Sequence, residues 1–232
     1  MKEIIFTISD ETVNIPLMYY PIPATKSIPE WYKAMVTTRT PGTTFDIAQT
    51  QTIKRCMPVF DAMTIGYLLC LHTDIHIKQE NDEPVISWAN NKGDLIAFHF
   101  KEQVENYREF KSNSLPPKYL NPWQIQTEKG YSVLIIPPMH RPKIGIQILE
   151  GVVDTDTYTN NIHFPFIIDE GFEGVIAAGT PIAQMIPIKR DNFKMRIGGA
   201  KERQQGLLVL NAIKSMFLNG YRKLYRQPKN YQ

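Results

Sequence analysis

The sequence has little cysteine and no long apolar run, and each shortage excludes a class of protein. Only Cys56 and Cys70 occur in 232 residues, too few for a disulfide scaffold or a zinc ribbon. A reducing compartment is therefore the expected environment. No apolar run reaches the roughly 18 residues that a membrane helix requires, so we expect no membrane contact. The segment Met1–Ile8 alternates in polarity, which is not typical of a signal peptide.

The overall composition is that of a folded chain, with 43% hydrophobic and 21% charged residues, which argues against disorder and against a coiled coil. The order of its segments predicts three regions: a proline-rich N-terminal arm with a short helix over 1–60, a β domain over 61–190, and a basic helical tail over 191–232. This fold is mainly β, a sandwich or barrel of many short strands.

Charge is distributed unevenly along the chain. From residue 189 onward there are eleven basic and two acidic residues, a net charge of +9, whereas the preceding residues hold 15 basic and 21 acidic ones, a net charge of −6. Such a tail suits phosphate, single-stranded nucleic acid or an acidic partner surface. A solvated helix face, or a tail that docks on the acidic body of its own chain, explains the same charge.

Local patterns predict the individual elements. Proline suits the first turn of a helix, so Pro29–Lys33 is expected to be helical, with Trp31 and Tyr32 as anchors. Apolar residues that recur at intervals of three or four residues predict one amphipathic helix over Gln205–Tyr225. A long loop is expected over 101–122. Alternation and β-branched residues predict strands at Glu3–Ile8, Leu69–Ile77, Pro84–Ala89, Leu95–Phe100, Tyr131–Ile136, Ile144–Leu149, Ile162–Ile168 and Ile182–Ile188.

Two glycine-led segments are the strongest candidates for chemistry. In Gly151–Tyr158 a turn carries two close carboxylates and a tyrosine, and a carboxylate at a turn can act as a general base toward water. In Gly179–Gln184 a second turn leads into a strand, where backbone and amide groups can donate to an anion. Short acids that cap backbone N–H groups, and an ordinary strand start, explain the same residues without chemistry.

These two segments resemble motifs of the dUTPase and dCTP deaminase superfamily. The first is similar to its Gly-(hydrophobic)2-Asp-x-Asp-Tyr-Arg-Gly turn, and the second to its Gly-x-Arg-Ile-Ala-Gln segment. The resemblance implies a β-clip or jelly-roll-like fold, a homotrimer with shared sites, and hydrolysis of a deoxynucleoside triphosphate to release pyrophosphate. Magnesium would be carried by the triphosphate rather than by a protein cage.

The resemblance also implies a role for each matching residue. Asp154 would activate water for attack on the α-phosphate, and Tyr158 would lie under the deoxyribose. Asp156, Gln184 and Arg141 would bind the nucleotide, with Arg141 standing in the segment that corresponds to the phosphate-binding Pro-Arg-Ser motif. No residue is predicted to bind a metal directly.

The sequence departs from this family at several phosphate donors. Thr157 is an extra residue before the tyrosine, Thr159 replaces the following arginine, and Pro181 replaces the arginine before Ile-Ala-Gln. The alternative is therefore a non-catalytic oligomeric structural protein that uses the fold without the chemistry. The Pro-x-Trp-Tyr-Lys segment and the Asp-Thr-Asp-Thr-Tyr turn also resemble tailed-phage proteins, which implies virion partner proteins and a location in the host cytoplasm or the virion.

A third cluster is weaker. His72, Asp74 and His76 alternate on the predicted strand Leu69–Ile77, a spacing that can place three ligands on one face of a strand. The polar outer face of a half-buried strand explains them equally.

Overall fold

The computed structural model describes residues 2–8, 15–39, 51–81, 83–89, 94–104, 107, 115–216 and 219–232. The described elements confirm a mainly β fold, with fourteen strands in four antiparallel sheets and four helices. The strands are β1 Ile4–Ile8, β2 Ile22–Pro23, β3 Tyr67–Cys70, β4 Ile75–Glu80, β5 Glu83–Trp88, β6 Ile96–Phe98, β7 Pro117–Tyr119, β8 Trp123–Thr127, β9 Tyr131–Ile136, β10 Ile146–Ile148, β11 Gly151–Val153, β12 Phe164–Ile168, β13 Gly174–Ile176 and β14 Pro181–Lys189. The helices are α1 Glu30–Ala34, α2 Met57–Thr64, α3 Ala200–Ser215 and α4 Gly220–Leu224.

The nine-residue strand β14 organises the largest sheet. The strand order is β11-β9-β14-β3-β2, so β14 is paired on both edges, with β3 along its first half and with β9 along its second half. A register irregularity between Pro181 and Ala183 marks the start of β14. The consecutive residues from Ile182 to Ile186 are all buried, as expected for a strand covered on both faces.

Three smaller sheets complete the body, with the orders β10-β12-β7-β6, β13-β4-β5 and β1-β8. Side chains from all four sheets meet in one core, which includes Leu69, Ile77, Ile125, Phe166 and Met185. Each of these is at most 1% exposed. Burial of an aliphatic or aromatic side chain of this size contributes about 1.5–3 kcal/mol, so the packing of the sheets together is the main source of stability.

Gly66 lets α2 turn directly into β3. Its φ is +74°, a left-handed conformation that favours glycine. A Cβ at this position would lie 2.1 Å from the carbonyl oxygen of Met185 in β14. The close approach of these two backbones fixes α2 against the end of the main sheet.

The N-terminal predictions are confirmed in the described residues. β1 lies within the predicted strand, and α1 begins directly after Pro29. Tyr32 is buried, and Trp31 donates from Nε1 to the carbonyl oxygen of His140 at 2.9 Å. The proline-rich segment also contributes β2 to the edge of the main sheet through its pairing with β3.

Several strand predictions need correction. The predicted strand Leu69–Ile77 is two strands, because the chain turns at residues 71–74 between β3 and β4. The predicted loop over 101–122 contains β7, which pairs with β6 and β12. β9 is confirmed at its predicted bounds, whereas the strands predicted at Leu95–Phe100 and Ile144–Leu149 are shorter. The predicted turn at residues 90–94 falls mostly outside the described residues.

The predicted single C-terminal helix is two helices. α3 begins five residues earlier than expected, and the chain breaks at Asn219, whose φ is +74°. Gly220 then packs so closely on α3 that a Cβ would lie 2.5 Å from the carbonyl oxygen of Ile213. None of the sixteen residues of α3 is buried. In the described part of the chain, no helix is both long and apolar enough to span a bilayer.

The last residues of the chain pack against α2 and β3. Asp61 is buried and accepts hydrogen bonds from Arg226 Nη2 at 2.7 Å and from Lys229 Nζ at 2.8 Å. The ring of Tyr231 meets that of Tyr67 edge-on, with 5.7 Å between centroids. Burial raises the pKa of Asp61, but the hydrogen bonds from the two cations lower it by more, so the net pKa is below its usual value. The tail therefore docks on its own body through a buried carboxylate.

Candidate functional site

The turn after β11 is built by backbone hydrogen bonds and by one buried threonine. The carbonyl oxygen of Asp154 accepts from the backbone N–H of Thr157 at 3.1 Å and of Tyr158 at 2.9 Å. Thr155 is fully buried and shares a hydrogen bond of 2.7 Å with the hydroxyl of Thr127. This contact fixes the turn to the end of β8, so both carboxylates of the turn are held in place.

Arg190 binds both carboxylates of the turn. It follows β14 directly, and its backbone N–H donates to the carbonyl oxygen of Gly130 at 2.9 Å. Its guanidinium makes a bidentate contact with Asp156, in which Nη1 donates to Oδ1 at 2.8 Å and Nη2 donates to Oδ2. Nη1 also lies 3.2 Å from Oδ1 of Asp154. Paired N–H donors on one carboxylate are the geometry that arginine favours.

Asp156 is the more firmly held of the two acids. Its side chain is 2% exposed, and the backbone N–H of Gly130 donates to its Oδ2 at 2.8 Å. The hydrogen bonds from Arg190, and then that from Gly130, lower the pKa of Asp156 to about 2. This carboxylate therefore stays charged, and its oxygens are turned toward the protein.

Asp154 and Tyr158 are the accessible members of the turn. The Asp154 side chain is 63% exposed and Tyr158 is 47% exposed. One oxygen of Asp154 accepts from the buried hydroxyl of Ser132 at 2.6 Å. A carboxylate that is oriented by the Ser132 hydroxyl and by Arg190, and that is open to solvent, can accept a proton from water. The adjacent ring of Tyr158 offers an apolar face.

Gln184, which the resemblance assigns to nucleotide binding, lies in the interior of the fold. It is fully buried in β14. Its amide nitrogen donates to the carbonyl oxygens of Ala62 at 2.9 Å and Ile65 at 2.7 Å, and its amide oxygen accepts from the N–H of Met139 at 2.9 Å. The side chain ties α2 and the loop after β9 to the main sheet, and a phosphate contact would require this packing to open.

Arg141 is half-buried against the N-terminal arm. Its Nη2 donates to the carbonyl oxygen of Ser27, and its Nη1 lies 3.4 Å from the hydroxyl of the same residue. Its Nε is buried without a hydrogen-bond partner among the described residues. Burial lowers the pKa of the Arg141 guanidinium, and the nearby Cys70 thiol opposes this effect. Among the described residues, the guanidinium of Arg141 is thus bound to Ser27.

The two predicted halves of the site lie at opposite ends of the main sheet. Gln184 pairs with Ile136, whereas Ile188 pairs with Ser132, beside the turn of residues 154–158, which we call the acid turn. At about 3.3 Å per residue along a strand, Gln184 and Arg190 are separated by about 20 Å. One chain thus brings together Asp154, Asp156 and Tyr158, but it does not bring Gln184 or Arg141 to them.

The histidine cluster also separates in space. His72 is buried in the turn after β3 and shares a hydrogen bond of 3.0 Å between its Nδ1 and the hydroxyl of Tyr119. Asp74 accepts from the N–H of Ala178 at 2.7 Å, and His76 is exposed on β4. Among the described residues, no group of three or more His, Cys, Asp or Glu side chains could hold a metal ion.

A cleft of about 790 Å³ lies close to the acid turn but does not include it. Its walls come from the first residues of the chain, the hairpin between β8 and β9, and the docked tail. Its lining includes Lys2, Glu3, Ile4, Ile5, Phe6, Tyr67, Thr127, Glu128, Tyr131, Pro187, Lys229, Asn230, Tyr231 and Gln232. None of the five predicted site residues lines this cleft.

Sequence reasoning missed Arg190, Ser132 and Asp61, the residues that organise the two ion-pair clusters. Arg190 was visible only as one more charge of the basic tail, since its position opposite Asp156 depends on the pairing of β14 with β9. Asp61 lies among apolar neighbours in α2, and an acid in such a position is a usable signal because buried acids are paired. Neither the models of known protein families nor the curated proteins include a match to this sequence.

Proposed function

We propose that this protein is a non-catalytic structural protein that assembles with copies of itself through its basic tail. The observation that carries the proposal is the exposure of three apolar residues between β14 and α3: Phe193 is 92% exposed, Met195 89% and Ile197 88%. Burial of each would contribute about 1.5–3 kcal/mol. An alternating apolar segment that stays in water within one chain is typical of a surface that is covered in an assembly.

The helix that follows supports the same proposal. α3 carries four exposed apolar residues in succession, Leu207, Leu208, Val209 and Leu210. Among the described elements, α4 is the one on which α3 packs substantially. The resemblance to tailed-phage proteins makes a virus particle the assembly that we propose.

The internal pairing of the predicted site favours this function over catalysis. Asp156 is held by Arg190 and Gly130, and the Gln184 amide is saturated by three backbone groups. Two of the groups that the resemblance assigns to nucleotide binding are thus engaged in holding the sheet together. The chain can keep these residues for stability without any ligand.

Light scattering on the eluting peak of a size-exclusion column tests the assembly. The full chain is expected to elute as a defined oligomer, and a variant with Phe193→Ser, Met195→Ser and Ile197→Ser is expected to elute as a monomer. Serine at Leu17 and Met18, which are 78% and 76% exposed far along the chain from the tail, is the matched control. A native chain that remains monomeric at about 100 μM would overturn the proposal, because an interface of standard size should hold copies together at that concentration.

A second function is nucleotide binding at the acid turn. The specific observation is that Asp154 and Tyr158 are both open to solvent within one turn. A deoxynucleoside triphosphate with Mg²⁺, dUTP first, is expected to release pyrophosphate, and Asp154→Asn is expected to abolish the release. Calorimetry with dUTP and the other deoxynucleoside triphosphates checks binding, and an absence of both heat and turnover would exclude this function.

A further inference from the structure

Residues 191–199, which we call the arm, have the sequence pattern of a β-strand but no strand to pair with. Phe193, Met195 and Ile197 alternate with Lys194 and Arg196, which is the period of a strand with one apolar and one basic face. Among the described residues, the backbone of residues 191–198 makes no hydrogen bond. Unpaired backbone groups beside exposed apolar side chains are what a strand presents before it is added to a sheet.

The cleft offers a sheet edge of the same length. β1 pairs only with β8 among the described strands, so its other edge is open. The consecutive residues Lys2–Phe6 all line the cleft. Because successive side chains of a strand point to opposite faces, this lining indicates that the cleft reaches both faces of β1. Thr127 and Glu128, which also line it, place part of the cleft at the end of the β1–β8 pair. β1 has five residues, as does the alternating stretch 193–197.

The two faces of β1 match the two faces of the arm. Ile4, Phe6 and Ile8 are half-buried and pack on the core, whereas Ile5 is exposed and shares its face with Glu3. A strand added to β1 with its apolar residues on the core side places its cations on the side of Glu3. Phe6 and Tyr67, whose rings meet edge-on with 5.6 Å between centroids, line the cleft and pack on the core.

The charges agree with this orientation. Glu3 and Glu128 line the cleft and form no ion pair with any described basic side chain. The two cations of the cleft are already engaged, since Lys229 is bound to Asp61 and Lys2 lies 4.2 Å from the ring centroid of Tyr131. The cleft therefore presents two carboxylates without a described ion-pair partner to a segment that carries Lys194 and Arg196.

We propose that the arm of one copy of this chain binds in the cleft of a second copy, where residues 193–197 add to β1 as a further strand. This inference rests on the proposed assembly function and names its contact surface. Backbone hydrogen bonds to β1 supply affinity, and the alternating apolar side chains supply specificity. A second copy is the occupant because the length, the two faces and the charge of β1 and its cleft all match the arm of this same chain.

Disulfide cross-linking between two differently labelled chains tests the contact directly. In a Cys56→Ser background, which removes the exposed thiol, one chain carries Ile5→Cys and the other carries Lys194→Cys or Arg196→Cys. Residues facing each other on one side of a sheet have Cβ atoms about 5 Å apart, close enough to bridge. Mixed chains are expected to form a covalent dimer under mild oxidation. Cross-linking to Glu83→Cys on the edge strand β5 instead would overturn the proposal.

A matched pair of lysine substitutions separates this inference from the proposed function. Ile5→Lys places a cation in the cleft and is expected to weaken self-association at least tenfold, whereas Val85→Lys, at a similarly exposed strand position (43% against 48%), is expected to change it less than twofold. If serine at positions 193, 195 and 197 disrupts assembly but Ile5→Lys does not, the arm binds elsewhere and only the cleft assignment fails. If neither change affects assembly, both proposals fail.

A labelled peptide of residues 190–199 provides an independent measurement. Its fluorescence anisotropy is expected to rise when it is added to the full chain carrying the three serine substitutions, and not when that chain also carries Ile5→Lys. Binding that ignores Ile5→Lys overturns the cleft assignment, whereas displacement by deoxynucleoside triphosphates but not by unlabelled peptide would identify the cleft as a small-molecule site instead.

Discussion

The two stretches of the basic tail behave in opposite ways. Residues 191–216 hold five basic and two acidic residues, and most of their large apolar side chains are exposed, from Phe193 to Leu210. Residues 219–232 hold four basic residues and no acid, yet they pack on the body through Asp61 and Tyr67. Both stretches are cationic, but only one is docked.

The difference shows that charge alone does not decide where a basic segment binds. Arg226 and Lys229 meet a carboxylate that α2 holds in a buried position, where two cations compensate the loss of water. Among the residues that the structure describes, Lys194 and Arg196 meet no buried carboxylate, and Arg196 pairs with the nearby, partly exposed Glu202. A buried acid and an aromatic ring on the body are what fix the second stretch.

The largest effect is expected when the buried acid is neutralised. Asp61→Asn keeps the shape but removes the charge that two cations share, and a loss of about 1–3 kcal/mol in the free energy of unfolding is expected. Hydrogen exchange in residues 219–232 should become fast, as in an undocked segment. Asp191→Asn, which breaks the exposed pair with Lys189, is the control and should change stability by less than about 0.5 kcal/mol.

A smaller effect is expected from the aromatic contact of the docked stretch. Tyr231→Ala removes the edge-on contact with Tyr67 and should cost about 0.5–1.5 kcal/mol beyond lost burial. Chemical denaturation gives the value, with the more exposed Tyr225→Ala as the comparison. Equal losses for the two tyrosines would mean that the ring contact contributes nothing to docking.

The acid turn provides a third comparison, this time in pH. Because the folded pKa of Asp156 is depressed to about 2 from 3.8, its contribution is fully present above pH 3.8 and is lost as the pH falls toward 2. Asp156→Asn should therefore flatten the dependence of stability on pH within that window, and solvent screening of the partly exposed Arg190 keeps the effect modest. Acid unfolding followed by circular dichroism checks it. A wild-type slope that survives the substitution would assign the acid sensitivity to Asp61 instead.

The smallest effect on the stability of a single chain is expected in the undocked stretch. Serine at Phe193, Met195 and Ile197 should change the unfolding free energy by no more than about 0.5 kcal/mol per site in the dissociated state, because these residues contact little in one chain. A dilute thermal melt measures this. A large loss would show that the arm packs on its own body, and the contrast between the two stretches would disappear.

The local parts of the fold were predictable from sequence. The β-branched residues of Tyr131–Ile136 predicted β9, the turn expected after Pro84–Ala89 predicted β5, and the proline before α1 marked the start of that helix. Short strands such as β7 and β13 were missed, since three residues carry too little pattern and their extended conformation depends on pairing with distant segments. The break at Asn219 was also missed, because apolar periodicity continues across it.

The same division applies to the candidate site. Asp154, Asp156 and Tyr158 are neighbours in sequence, so a turn was enough to predict their proximity. The placement of Gln184 depends on the register of β14, which puts its side chain in the core beneath α2. Arg190 reaches Asp156 across 34 residues through two strand pairings, and no local pattern encodes that distance.

The backbone contact at Gly66 has a consequence for any mutational survey of this protein. A side chain there would meet a main-chain oxygen, which cannot rotate aside as a neighbouring side chain can. In a library of all single substitutions selected for soluble expression, position 66 should retain only glycine. Gly130, with open space where a Cβ would lie, should tolerate asparagine. The enrichment profile would thus mark the junction of helix and sheet without any further structural information.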